Sequence, residues 1–183
     1  MSDAHGRLVE LLREKSVKTG EFILASGKTS DFYVDARQTT LHAEGSRLVA
    51  DLMIDRLQED VVAVGGLTMG ADPIACSISA ISTVKGKPVH AFLIRKEAKG
   101  HGTGQYCEGL ANVPAGSRVA IVEDTTTTGG SLLTACERAQ AAGLTVVQCL
   151  TVVDREEGAA SRIAAAGWTL EALTTRTQLL AES

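Results

Sequence analysis

The sequence predicts an α/β protein in which a central parallel sheet is flanked by helices. Segments whose apolar residues recur at helical spacing alternate with short, unbroken apolar runs. Unbroken runs are typical of strands that are buried on both faces, as in parallel sheets. The 183 residues, 44% of them hydrophobic and 22% charged, suit one ordinary globular domain. We therefore expect a single domain over residues 1–183.

The first 40 residues or so are expected to form a small appendage. Leu8, Leu11 and Leu12 follow helical spacing behind a capping residue at Ser2 or Asp3. The apolar stretches 22–24 and 32–34 flank a turn-rich segment, which predicts two short strands and a loop.

From residue 43 onwards helices and strands are expected to alternate. The predicted helices are 43–57, 71–83, 131–142 and 159–166, and the predicted strands are 61–64, 89–94, 118–122 and 145–153. In such folds ligands bind beyond the carboxyl ends of the strands. The residues that directly follow strands are therefore the first candidates for a site.

Charge and composition exclude several classes of protein. The net charge of −4 comes without a long block of like charges, which argues against a surface for duplex nucleic acid or anionic membrane. Cys76, Cys107, Cys136 and Cys149 lack metal-ligand spacing and are expected to be reduced thiols. No secretory or membrane-spanning stretch is seen, so a cytoplasmic location is expected.

The segment 26–29, Ser-Gly-Lys-Thr, is similar to the end of a nucleotide-binding P-loop. The P-loop spacing requires glycine at position 22, where Phe22 stands. No clear strand followed directly by a helix surrounds it. A nucleoside triphosphatase is therefore excluded.

A polar turn follows the strand predicted at 118–122. Glu123 and Asp124 are followed by four threonines, two glycines and a serine that opens a helix; these are Thr125, Thr126, Thr127, Thr128, Gly129, Gly130 and Ser131. Free N–H groups at a helix start, the positive end of its dipole and close backbone approach at glycine all favour a phosphate monoester.

The two acids of this turn would repel a bare phosphate. Carboxylates accept hydrogen bonds from vicinal hydroxyls, so phosphate on one side and a diol on the other describe ribose 5-phosphate. A nearby carboxylate would also favour cationic character at the ring carbon that reacts. The alternative is that the acids only cap the turn and the threonines are solvated.

A basic segment follows the strand predicted at 89–94. Arg95, Lys96 and Lys99 lie with His101 among three glycines in the stretch 95–104. Glycine allows movement, and the cations can neutralise a polyanionic leaving group such as pyrophosphate. A solvated surface loop with incidental charge is the alternative.

Two of these segments resemble a known family. Residues 121–131 resemble the ribose-phosphate signature of type I phosphoribosyltransferases, and Arg95, Lys96, Lys99, His101 and Gly102 match the catalytic loop of orotate phosphoribosyltransferases. The resemblance implies the type I phosphoribosyltransferase fold with a small N-terminal hood. It also implies transfer of 5-phosphoribosyl from phosphoribosyl diphosphate to orotate, which gives orotidine 5'-phosphate and pyrophosphate in pyrimidine (UMP) synthesis.

Three further segments carry the resemblance along about residues 20–160. Residues 65–73 resemble the family's pyrophosphate loop and 24–33 its hood segment, with Met69 and Ala25 where some relatives have lysine. Residues 154–158 resemble a third family element, in which Arg155 would grip the orotate carboxylate. An ion pair between Arg155 and a surface glutamate is the alternative.

The resemblance assigns roles residue by residue. Lys99 and His101 would be catalytic, and Thr127 and Arg155 would bind orotate. Arg95, Lys96, Lys99, His101 and residues 123–131 would bind phosphoribosyl diphosphate. Mg²⁺ would meet the protein only through water near Asp124, and a homodimer with shared sites is implied. A purine acceptor, or a regulator of transcription that binds phosphoribosyl diphosphate without turnover, are the rival hypotheses.

Overall fold

The computed structural model describes residues 3–23, 29–98 and 105–181. The N-terminal part contains helix α1 (Asp3–Lys15), strands β1 (Val17–Ile23) and β2 (Thr29–Val34) and the short helix α2 (Arg37–Thr40). The two strands pair antiparallel, with Val17 opposite Val34. The predicted helix and strand pair are confirmed, although β1 begins five residues before the predicted strand.

The remaining elements form a sheet with helices packed on it. The strands are β3 (Ala63–Leu67), β4 (His90–Ile94), β5 (Cys107–Glu108), β6 (Arg118–Thr126), β7 (Thr145–Asp154) and β8 (Leu170–Thr175). The helices are α3 (Ala43–Ile54), α4 (Ala71–Val84), α5 (Gly130–Ala141), α6 (Ala159–Ala165) and α7 (Arg176–Leu180). All eight helices and strands predicted from residue 43 onwards are found.

The sheet has the strand order β5-β4-β3-β6-β7-β8. Every neighbouring pair is parallel except β4 and β5, which are antiparallel. The predicted α/β class with a central parallel sheet is therefore confirmed, with one short antiparallel edge strand added. The sequence prediction also lacked β8, α2 and α7.

The core lies on both faces of the sheet. One cluster packs α3 and α4 against the sheet and includes Phe32 from the N-terminal strand pair. The other packs α5 and α6 on the opposite face around Phe92 and Ile121. The side chains of Phe32, Phe92 and Ile121 are at most 1% exposed. Burying such side chains stabilises the fold by roughly 1.5–3 kcal/mol each.

Strand β6 extends beyond its neighbour β3 at the carboxyl end. The pairing of β3 with β6 ends at Gly65 and Ile121, whereas the pairing of β6 with β7 continues to Thr126 and Asp154. Residues 122–126 therefore have a strand neighbour on only one side. This open edge carries the acidic pair predicted to bind ribose.

All four cysteines are free, as expected. Within the described ranges no helix combines the length and the apolar character needed to cross a membrane.

Candidate active site

A cavity of about 280 Å³ lies at the carboxyl end of the sheet. Four segments line it: the end of β2 and the start of α2, the loop after β3, the residue Lys96 after β4, and the turn from β6 to α5. Its lining residues are Tyr33, Val34, Asp35, Arg37, Leu67, Thr68, Met69, Gly70, Lys96, Glu123, Asp124, Thr125 and Ser131. Segments far apart in the sequence thus meet where the fold class predicts a ligand.

The turn between β6 and α5 has the form expected of a phosphate site. Gly129 is the residue before α5 and has a φ of 76°, and no side chain caps the helix. The first N–H groups of α5 are therefore available to an anion. The hydroxyl oxygen of Thr125 is buried and has no hydrogen-bond partner among the described residues, which suits a polar ligand in the cavity.

Thr126 differs from the expectation that four threonine hydroxyls face a ligand. Its side chain is 2% exposed. Its hydroxyl lies 3.4 Å from Oδ1 of Asp154 and 3.5 Å from the carbonyl oxygen of Val153. Because strand side chains alternate between faces, this hydroxyl turns towards β7 and away from the cavity. The role of Thr126 in binding phosphoribosyl diphosphate stays a prediction.

Replacing Gly129 with alanine is expected to lower the free energy of unfolding by about 1–2 kcal/mol, because a left-handed φ crowds a Cβ. The added Cβ would also lie 3.3 Å from Cα of Ala159 at the start of α6. Urea unfolding measures the loss. Gly130→Ala is the matched control, since its Cβ would meet only the guanidinium of Arg162 at 3.5 Å. Equal stability of the two variants would contradict the prediction.

The carboxyl groups of Glu123 and Asp124 accept hydrogen bonds from backbone N–H groups of the same turn. The N–H of Asp124 donates to Oε1 of Glu123 over 3.2 Å, and the N–H of Thr125 donates to Oδ1 of Asp124 over 2.8 Å. Glu123 is 6% exposed. Burial, followed by the negative charge of Asp124, raises the pKa of Glu123 to about 9. Glu123 is therefore protonated at neutral pH, and its carboxyl group can also donate a hydrogen bond.

The raised pKa of Glu123 makes stability depend on pH. Between pH 4.5 and about 9 the folded protein holds a proton on Glu123 that the unfolded chain has lost. The stabilisation that this proton provides is complete below pH 4.5 and is lost progressively as the pH rises to about 9. We expect Glu123→Gln to flatten this decline, whose limiting slope for one proton is about 1.4 kcal/mol per pH unit. Urea unfolding at pH 6 and pH 8.5 measures it. A parallel decline in both proteins would contradict the prediction.

The loop after β3 approaches the acidic pair through its backbone. A Cβ on Gly70 would lie 2.5 Å from Oδ1 of Asp124 and 2.8 Å from Oε1 of Glu123. The hydroxyl of Thr68 donates to the carboxylate of Asp72 over 3.1 Å at the start of α4, and the peptide bond between Thr68 and Met69 is cis. Glycine at position 70 thus lets the backbone of this loop pack directly against the two acids, where a larger side chain would clash.

The predicted basic residues fall into three groups. Lys96 lines the cavity. Arg95 lies outside that lining, and its guanidinium is 3.3 Å from Oε1 of Glu108. Lys99 and His101, the predicted catalytic residues, lie outside the described residues, as does Ala25. Their placement therefore stays a prediction.

Arg155 directly follows β7, as predicted, but it is not among the residues that line the cavity. Its Nη2 lies 2.8 Å from Oε1 of Glu157, so the ion pair of the alternative interpretation exists. The Arg155 side chain is nevertheless only 12% exposed. Its Nε is buried and has no hydrogen-bond partner in the described parts of the chain. A buried, unsatisfied guanidinium nitrogen fits a side chain that receives a ligand.

Sequence reasoning missed Asp35 and Arg37, which both line the cavity. Nε of Arg37 donates to Oδ1 of Asp35 over 2.8 Å. This contact is the main cause that lowers the pKa of Asp35. The rule that functional residues follow strands would have found both, because they follow β2 directly. They were missed because β2 lies outside the main sheet.

The side chains available as metal ligands determine how a divalent cation would be held. Among residues 3–23, 29–98 and 105–181 there is no group of three or more His, Cys, Asp or Glu residues that could hold a metal ion. Asp124 and the protonated Glu123 are the acids of the turn, and one carboxylate is too few for an all-protein Mg²⁺ site.

Comparison with known proteins agrees with this geometry. The model of the phosphoribosyl transferase domain matches residues 37–166. This match defines the general class: an enzyme fold that handles phosphorylated ribose.

The relatives define the family within that class. An orotate phosphoribosyltransferase from Bradyrhizobium sp. ORS 278 is 46% identical, over 94% of this chain and 95% of that protein. The Mycobacterium tuberculosis H37Rv orotate phosphoribosyltransferase in complex with Fe(III) dicitrate is 42% identical, with a TM-score of 0.85 over 97% of this chain and 99% of that one. A second structure of it, in complex with 5-phospho-alpha-D-ribosyl 1-diphosphate, is 38% identical with a TM-score of 0.79, over 96% and 98%. The chain therefore belongs to the orotate phosphoribosyltransferase family, transferases of pyrimidine biosynthesis.

Proposed function

We propose that this chain transfers 5-phosphoribosyl from phosphoribosyl diphosphate to orotate, with release of pyrophosphate. The observation that carries the proposal is one cavity that joins Ser131 at the uncapped start of α5, the acids Glu123 and Asp124, and the cation Lys96. A phosphate, a ribose diol and a diphosphate would each meet the chemistry that binds it.

The ribose 5-phosphate is proposed to occupy the turn of residues 123–131. Thr125, Thr127, Thr128 and Ser131 would donate hydroxyl groups, and the N–H groups of Gly129, Gly130 and Ser131 would meet the phosphate. Asp124 would accept a ribose hydroxyl and stabilise positive charge at the reacting carbon. Thr126 would contribute as part of the same turn.

The diphosphate is proposed to lie between Lys96 and the loop after β3. Met69 of this loop, 64% exposed, supplies no charge. Lys96, Lys99 and His101 would therefore carry most of the charge compensation for the departing pyrophosphate, with Arg95 at the base of the same segment.

Mg²⁺ is proposed to accompany the diphosphate. The cation would neutralise the leaving group, and the donor set near Asp124 suits contact through water. Orotate as the acceptor is supported by the names of the relatives and by Arg155, whose buried guanidinium could pair with a carboxylate, with Thr127 nearby in the turn.

A homodimer with shared sites is proposed as well. A groove of about 630 Å³ lies next to the cavity and shares Asp35, Arg37 and Met69 with it. Its wall includes the exposed Leu41, a large apolar side chain that a second copy of the chain would cover. Sedimentation equilibrium tests the proposal, and a monomer at micromolar concentration in the presence of phosphoribosyl diphosphate would refute it.

The test of the acceptor follows the loss of orotate absorbance in the presence of phosphoribosyl diphosphate and Mg²⁺, with a reaction lacking Mg²⁺ as control. We expect consumption of orotate and release of pyrophosphate. Arg155→Lys should raise the KM for orotate by roughly tenfold or more, because lysine cannot form the planar two-point contact. Arg47→Lys, at an exposed position of α3, is the matched control.

Two results of this assay would point to the rival hypotheses. Consumption of adenine or guanine in place of orotate would favour a purine acceptor. Binding of phosphoribosyl diphosphate without turnover of any base would favour a regulator.

A further inference from the structure

The loop that follows β7 contains a residue in an unusual backbone conformation. Glu156 has a φ of 61°, in the left-handed region that residues other than glycine rarely adopt. Such a conformation persists only where the surroundings hold it, and it is common beside ligand sites. Glu156 directly follows Arg155, which is proposed to bind the orotate carboxylate, but the resemblance to the family gives Glu156 itself no role.

The side chain of Glu156 is held by the start of α7. Its Oε2 accepts a hydrogen bond from the hydroxyl of Thr177 over 2.6 Å and another from the Thr177 N–H over 2.8 Å. These two bonds, the hydroxyl first, lower the pKa of Glu156, so the acceptor is a carboxylate at neutral pH and both bonds are charge-assisted. We call this pair of contacts the Glu156 clamp.

Helix α7 is a firm anchor for the clamp because it is fixed at both ends. Thr175 and Gln178 form a capping box at its start. Towards its end the guanidinium of Arg13 in α1 donates to the carbonyl oxygens of Gln178 and Leu179 over 2.8 Å and 3.0 Å. Leu179 is also buried in the core cluster that contains Leu8 and Leu12 of α1. The clamp therefore ties the loop to a helix that is packed on the fold.

The backbone on the other side of Arg155 is fixed as well. The N–H of Arg155 donates to the carbonyl oxygen of Thr126, in the turn of residues 123–131, over 2.9 Å. The N–H of Glu156 donates to Oδ1 of Asp154 over 3.0 Å, and the same oxygen accepts the Thr126 hydroxyl over 3.4 Å. Arg155 thus lies between two fixed points of its own chain, the phosphate turn and α7.

We propose that Glu156 is a positioning residue for the acceptor: by its clamp on Thr177 it fixes the direction in which Arg155 presents its guanidinium to the orotate carboxylate. This inference rests on the proposed role of Arg155, whose Nε is buried without a hydrogen-bond partner among the described residues. A group that is held in place before its ligand arrives loses less entropy on binding. If the released side chain took its binding orientation about a tenth of the time, the apparent affinity would fall about tenfold.

The test is Glu156→Ala, which removes the clamp. We expect the KM for orotate to rise by roughly fivefold to tenfold. The dissociation constant of phosphoribosyl diphosphate should change by less than about twofold, because the phosphate turn keeps its own contacts. Glu59→Ala, which removes an exposed glutamate between α3 and β3, is the matched control and should change neither quantity.

The partner residue gives a second route to the same test. Thr177→Val removes the hydroxyl donor of the clamp and should also raise the KM for orotate, which keeps the test valid if Glu156→Ala fails to fold. Thr177→Ser retains both donors and should keep a normal KM.

A second background shows whether Glu156 acts through Arg155. In Arg155→Ala protein, Glu156→Ala should lower kcat/KM for orotate no further, because the side chain that it positions is gone. A loss that multiplies fully in this background would overturn the inference. So would an equal loss of affinity for both substrates, or a normal KM for orotate in both Glu156→Ala and Thr177→Val.

The two proposals fail in different ways. A normal KM for orotate in Arg155→Lys protein, or no turnover of orotate by the unaltered protein, would refute the proposed function at this site and the inference with it. A raised KM in Arg155→Lys beside a normal KM in Glu156→Ala and Thr177→Val would refute only the inference.

Discussion

Lys99→Ala and His101→Ala are each expected to lower kcat by roughly a hundredfold or more, with a much smaller change in the dissociation constant of phosphoribosyl diphosphate. The charge on the leaving pyrophosphate grows as its bond to ribose breaks, so a cation or proton donor at this place favours the transition state more than the bound substrate. Lys96, which lines the cavity from the start of the same segment, retains part of the ground-state attraction.

Pre-steady-state turnover and calorimetric binding of phosphoribosyl diphosphate measure the two quantities separately. Lys87→Ala replaces an exposed lysine between α4 and β4 and should leave both unchanged. Normal kcat in the two segment variants would remove this segment from the mechanism. Weaker binding of phosphoribosyl diphosphate together with a normal kcat would show that the segment stabilises substrate and transition state equally.

Asp124→Asn is expected to lower kcat/KM for phosphoribosyl diphosphate by roughly a hundredfold, because a negative charge near the reacting carbon is lost. A charge pair about 4 Å apart at an effective dielectric of about 20 contributes about 4 kcal/mol before desolvation. The substitution keeps size and hydrogen bonding, so the Thr125 N–H still finds an acceptor.

Glu123→Gln is the comparison that isolates the charge. The pKa of Glu123 is raised to about 9, so glutamine replaces a neutral carboxyl group near pH 7. Its loss of kcat/KM should therefore be clearly smaller than that of Asp124→Asn. Equal losses for both variants would show that the hydrogen bonds of the acids, and not the charge of Asp124, determine the rate.

The sequence predicted the order of the large elements because their apolar patterns are long and regular. Burial of Val119, Ile121 and their neighbours on both faces is what an unbroken apolar run indicates. Strand β5 has two residues and α2 has four, too few for any period to be read. Their positions depend on pairing with β4 and on packing in the complete fold.

The sequence predicted which types of residue form the site, but it did not predict their orientation or burial. The turn 123–131 could be recognised because acids, hydroxyls and glycines follow a strand directly. That Thr126 faces β7, and that Glu123 holds a proton, depend on strand direction and burial by distant segments. The positions of Asp35 and Arg37 also come from tertiary packing, which brings the end of β2 to the sheet.

The strand order has a consequence for how the protein is made. Among the strands of the six-stranded sheet, β3 and β4 leave the ribosome first, but β3 must also accept β6, whose Val119 pairs with Ala63 across 55 intervening residues. Parallel pairing over such a distance is slow, because a large loop must close, with a loss of chain entropy, before the contacts that compensate for this loss can form. Until β6 inserts, the acids of the turn and the loop after β3 do not meet. A nascent chain therefore gains no stabilisation from the substrate before its central strand is in place, and afterwards substrate binding favours the folded state alone.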